Sequence, residues 1–111
     1  MESFEARVAK NEATFRAANE DIAAAADRLQ VPLSQAVTFV CECGDPECAE
    51  TVTVTLALYE RVRSDPHRFL VAPGHVIPAV EMTIEETDAY WMVMKTAPGA
   101  RRIAEEEDPP S

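Results

Sequence analysis

Three cysteines stand within eight consecutive positions, Cys41-Glu42-Cys43-Gly44-Asp45-Pro46-Glu47-Cys48, and the 111 residues contain no other cysteine. An odd number cannot pair completely, and Cys41 and Cys43 are too close in sequence to form an unstrained disulfide. A reducing, cytoplasmic setting with metal-bound thiolates is the simpler reading. A zinc ion needs tetrahedral thiolate or imidazole donors converging on one point, at about 2.0–2.3 Å from the metal. A regular strand cannot bring i and i+2 side chains together that closely. A turn can, and Gly44-Asp45-Pro46-Glu47 supplies turn chemistry between the second and third cysteine.

The cluster lacks a fourth local donor. His75 follows Pro73-Gly74, where a glycine-permitted turn can aim an imidazole, and it is the expected fourth ligand. His67, a carboxylate such as Asp45 or Glu50, or a water are the alternatives. The expected cofactor is therefore one structural Zn2+ held by Cys41, Cys43, Cys48 and His75. Glu42, Asp45, Glu47 and Glu50 are expected to form a solvated rim around it. With four protein ligands the ion has no open position for water or substrate, so it stabilises a fold and performs no reaction. Oxidation of zinc-bound thiolates would make the same cluster a redox sensor, an alternative to the inert clamp.

The rest of the chain reads as one α+β domain, with a long N-terminal helix over residues 1–30, a zinc-stabilised body over 31–96 and a polar, flexible tail over 97–111. Residues 3–29 contain neither Pro nor Gly, and Ser3 is placed to cap a helix. Val8, Phe15, Ile22 and Leu29 recur every seven residues, with Phe4, Asn11, Ala18 and Ala25 between them, which predicts one apolar stripe. This stripe is expected to pack on the domain's own sheet, with homodimerisation as the alternative. Pro32 ends the helix.

Short strands are predicted over residues 36–40 and 50–55, then a helix over 56–64 capped by Thr55. A strand over 69–71 precedes the Pro-Gly turn. Residues 80–85 and 90–95 then read as a hairpin that turns near Thr87-Asp88. Its second strand carries apolar residues on both faces, Tyr90, Met92 and Met94 against Trp91 and Val93, so it should be central or covered on both sides. These aromatic and Met residues are expected in the core. A short helix is expected near Arg101.

Four elements together resemble a family of short bacterial proteins without an assigned reaction. They are Asn11-Glu12-x2-Phe15-Arg16-x2-Asn19-Glu20-x-Ile22, Cys41-Glu42-Cys43-x4-Cys48, Thr55-x3-Tyr59-Glu60-x-Val62-Arg63 and Phe69-x-Val71-x-Pro73-Gly74-His75. The resemblance spans most of the chain and implies His75, a part of the pattern, in preference to His67. The chain departs from the pattern at Met94, where an acidic or polar residue is expected before Lys95.

With 20 acidic against 10 basic side chains, the formal charge is −10. Nucleic-acid and anionic-membrane binding both rest on local Lys and Arg, so neither is expected. The longest uncharged run, Leu29 to Cys41, falls far short of the ~20 residues of a membrane helix. The N-terminus has no basic start or apolar stretch of a signal peptide. Its three glycines stand alone, outside any phosphate loop, and the His-x-Glu with Pro-Cys-x2-Cys pattern of zinc deaminases is missing. The expected function is a small protein-interaction or regulatory module, not an enzyme, whose partner is a protein with a basic surface; a redox sensor, and a small-molecule-binding protein or enzyme, are the alternatives.

Overall fold

A computed structural model describes residues 3–108. The first helix, α1, spans Phe4–Arg28, and the Ser3 hydroxyl accepts the Ala6 N–H at 3.1 Å as its N-cap. Its other end is closed by geometry more than by Pro32. Gln30 takes the left-handed conformation (φ 57°), the Val31 N–H bonds back to Ala26 C=O and the Gln30 N–H to Asp27 C=O, each at 3.0 Å. That is a Schellman closure with Gln in the place glycine usually fills.

The face that α1 buries coincides only in part with the predicted apolar stripe, of which Val8 is buried and Ile22 packs on the core. Val8, Ala9, Glu12, Ala13, Arg16, Asn19 and Ala26 are buried, whereas Phe4 and Leu29 are 53% and 77% exposed. Most of the stripe has advanced by one residue, a rotation of about 100°. The physical reason lies in the partners available. Arg16 lies over the Phe69 ring at 4.7 Å and donates to Pro66 C=O and Ala104 C=O, both at 2.7 Å. Asn19 bonds the backbone of residue 40, and Glu12 pairs with Lys95. Buried polar groups are tolerated when so bonded, and alanines between them let the helix approach closely.

Strands β1 (Ala36–Val40) and β2 (Thr51–Thr55) form an antiparallel pair whose connecting loop carries the three cysteines. The Cys41 N–H to Glu50 C=O bond (3.0 Å) extends the ladder into that loop. Helix α2 (Leu56–Arg63) follows directly, capped by the Thr55 hydroxyl on the Leu58 N–H at 3.1 Å. Strands β3 (Arg68–Val71), β4 (Glu81–Glu86) and β5 (Trp91–Lys95) make a second antiparallel sheet in the order β3-β5-β4. The strand with two apolar faces, β5, is the central one, as its pattern requires. Phe39, Tyr59, Val62, Phe69, Leu70, Val71, Met92 and Val93 form the core, with Phe39 and Tyr59 stacked at 4.3 Å between ring centroids.

Edge strand β4 is inverted relative to its hydrophobic pattern. Met82 and Ile84 are exposed while Glu81 is buried, because the Glu81 carboxylate reaches the Lys95 ammonium at 2.6 Å. A register shift between Thr83 and Glu85 marks a bulge beyond it.

Much of the expected tail is a helix. Helix α3 (Pro98–Glu106) starts with Pro98 in its first turn and buries Ala100 and Ala104 completely, packing on α1. The short helix expected near Arg101 is thus present within the expected polar tail, and it packs where a flexible segment was expected; the last three residues, 109–111, lie outside the described residues. No described helix is long and apolar enough to cross a membrane.

Candidate metal centre

The loop after β1 and the turn after β3 meet. Cys41 leaves the end of β1, Cys43 follows two residues later, and a turn reverses the chain: the Asp45 carboxylate accepts the Glu47 N–H at 2.9 Å and Asp45 C=O accepts the Cys48 N–H at 3.1 Å. Gly44 is required here by space. A Cβ on it would collide with Val8 and stand 3.0 Å from the Ile77 side chain. Asn11 fixes the same residue from α1, donating to Gly44 C=O at 3.1 Å.

His75 arrives on a type II turn. Ala72 C=O accepts the His75 N–H at 3.0 Å, Pro73 takes the second position, and Gly74 supplies the positive φ of 85° that the third position demands. The Pro-Gly-His element is this turn.

The result is one tight group. The Cys41, Cys43 and Cys48 sulfurs and a His75 ring nitrogen all lie within 4.8 Å of one another. His75 Nδ1 stands 3.5 Å from Cys41 Sγ and 3.6 Å from Cys48 Sγ. Sulfur at 2.3 Å and nitrogen at 2.0–2.1 Å from a tetrahedral centre would stand about 3.5 Å apart, so the spacing suits a single ion. The four residues could hold a metal ion. Cys41 and Cys43 are buried and Cys48 is half-buried, and all three thiols are free.

Burial pushes the Cys41 and Cys43 thiols up from their ordinary range. Backbone N–H groups oppose that rise: Ala72 donates to Cys41 Sγ at 3.1 Å, with Cys43 as a second donor, and Asp45 donates to Cys43. Donors aimed at sulfur favour thiolate, the form that binds metal.

His67 is elsewhere. Its ring lies between Asp65 (Nδ1 to Oδ1, 3.0 Å) and Glu105 (Nε2 to Oε1, 2.7 Å), tying the β3 approach to α3. Asp45 and Glu50, the carboxylate alternatives, are exposed and stand outside the group.

Three of the four expected rim acids are exposed, but Glu42 is not. It is fully buried, pointing away from the sulfurs into the core. Its Oε2 accepts from Tyr59 OH (2.6 Å) and Asn19 Nδ2 (2.8 Å), and its Oε1 accepts from the Leu70 N–H (2.9 Å). Burial raises its pKa, and these three donors pull it back. The signal available in the sequence was positional: Glu12, Arg16 and Asn19 follow the i, i+4, i+7 spacing of one helix face, in polar letters.

Comparison of the chain with family models, with curated proteins and with solved structures finds no match.

Proposed function

We propose that Cys41, Cys43, Cys48 and His75 bind one zinc ion whose role is structural, and that the domain so held serves as a protein-interaction module. The observation that carries this reading is the convergence of three sulfurs and one imidazole nitrogen within 4.8 Å. Soft thiolates with one imidazole select zinc over hard cations such as Mg2+ or Ca2+. A bridged two-iron cluster needs its ligands spread over two metal atoms, and this group is too compact for that. Four protein ligands close the coordination sphere, which leaves no place for an activated water. The zinc joins the β1–β2 loop to the turn after β3 and so clamps the two sheets.

Metal analysis of protein purified without added metal should return about one zinc per chain. His75→Ala should lower that occupancy, and His67→Ala should leave it unchanged. Loss of zinc from His67→Ala with retention in His75→Ala would overturn the ligand assignment.

The acidic surface supports a basic protein partner. Glu20, Asp21, Asp27, Glu60 and Asp108 line one groove beside α1, where the Arg63 guanidinium is already engaged by Glu20 and Asp108. Crosslinking in native lysate should capture a basic protein at low salt. The capture should fail at high salt and after Asp21→Lys, Asp27→Lys and Glu60→Lys are combined. Capture indifferent to both changes would remove the electrostatic reading.

A further inference from the structure

The buried Glu42 sits between two of the proposed ligands, yet its own carboxyl faces the other way. Its bonds form a short chain of fixed relations. The Glu42 N–H donates to Leu70 C=O at 2.8 Å while its carboxyl accepts the Leu70 N–H at 2.9 Å, so backbone and side chain together hold one residue of β3. Two residues further along, Ala72 donates to Cys41 Sγ at 3.1 Å and accepts from His75 N–H at 3.0 Å. The Glu42–Leu70 contact therefore sets the offset between the cysteine loop and the Pro-Gly-His turn.

Asn19 fixes the same loop from α1. Its Oδ1 accepts the Val40 N–H, and its Nδ2 donates to Val40 C=O and to Glu42 Oε2, each at 2.8 Å. The carboxamide pairs with the backbone as a neighbouring strand would. Tyr59, stacked on Phe39, completes the set by donating to Glu42 Oε2.

A buried carboxyl is a poor way to obtain stability, since well-packed apolar groups of similar volume usually do as well or better. Its value here is geometric. We propose that Glu42, held by Asn19 and Tyr59, is the positioning residue of the metal centre, so that α1 sets the affinity of the Cys3His site. The proposal rests on the zinc reading above. Groups that orient metal ligands in this indirect way typically change metal affinity 10–100-fold when removed.

The test uses the full chain, zinc competition against a chromophoric chelator, and the visible ligand-field bands of the cobalt-loaded protein. Glu42→Gln puts an amide N–H₂ where only acceptors fit. It should weaken zinc binding about 10–100-fold and shift the cobalt bands at full loading. Val62→Ala, a core change away from the loop, is the control: its cobalt spectrum should match the wild type whatever stability it loses. Should Glu42→Gln fail to fold, Tyr59→Phe carries the test, with a smaller affinity loss and a band shift in the same direction. Wild-type bands in the folded Glu42 variant, or in Tyr59→Phe where that variant stands in, with no affinity loss beyond the control's, would overturn the proposal and leave the zinc site standing. Failure of the wild-type chain to bind either metal would instead remove both.

Discussion

Chelation of the metal is expected to unfold this protein, with loss of helical circular dichroism and of a cooperative thermal transition. The expectation follows from the size of the metal's contribution beside that of the shared core. The β1–β2 pair is two strands wide, and such a pair is marginal in water by itself. Much of the apolar contribution of α1 to the core comes from alanines, Ala9, Ala13 and Ala26, which bury little area each. A structural zinc site contributes roughly 10–16 kcal/mol of apparent binding free energy, against roughly 5–15 kcal/mol for the net stability of a whole domain. Cys41→Ser should reproduce the effect, because it replaces the thiolate that the Ala72 N–H also bonds with a hydroxyl, which does not ionise and is not a zinc ligand of such sites. A chelated protein with unchanged dichroism and melting temperature would show that the clamp is dispensable.

The second large effect is expected at Lys95. Its ammonium is fully buried between Glu12 and Glu81, and lies 5.5 Å from the Phe69 ring centroid. Lys95→Met should destabilise the fold by about 3–5 kcal/mol, because it leaves two carboxyl groups buried without their cation. Glu12→Gln should be far milder. Burial holds the Glu12 pKa well above its ordinary value, opposed by Lys95 and reinforced by Glu81. The folded protein therefore binds a proton there more tightly than the unfolded chain does. The corresponding stability is full below the unfolded value, near 4.3, and is lost as pH rises toward the folded one. Urea denaturation of wild type and Glu12→Gln at pH 5 and pH 8 checks this: the wild type should lose stability relative to the variant at the higher pH. The opposite slope would contradict the assignment of the proton to Glu12.

The cysteine loop and the Pro-Gly-His turn were legible in the sequence because turns depend on residue type at fixed offsets. Gly74 can take a positive φ, Pro73 fits the position before it, and His75 then has one direction to point. Strands β1, β2 and β5 and helix α2 were legible for the same local reasons, and the double-faced pattern of β5 placed it at the centre of its sheet. What stayed hidden is polar burial. Hydrophobic periodicity registers apolar letters alone, so a helix whose inner face includes Glu12, Arg16 and Asn19 is assigned in part to its wrong side. Glu42 was misread by the same logic, since an acid beside turn residues normally faces water, and the buried Glu81 of β4 runs against the same rule. Helix α3 was legible as a short helix near Arg101, but its packing was not, because its buried residues, Ala100 and Ala104, carry almost no hydrophobic signal.

X-ray absorption at the zinc edge of the purified, unsupplemented protein tests the central claim most directly. The account predicts a four-coordinate ion with three sulfur neighbours at about 2.3 Å and one nitrogen neighbour at about 2.0–2.1 Å. A first shell made of oxygen and nitrogen alone, or a protein that folds without any zinc bound, would contradict it.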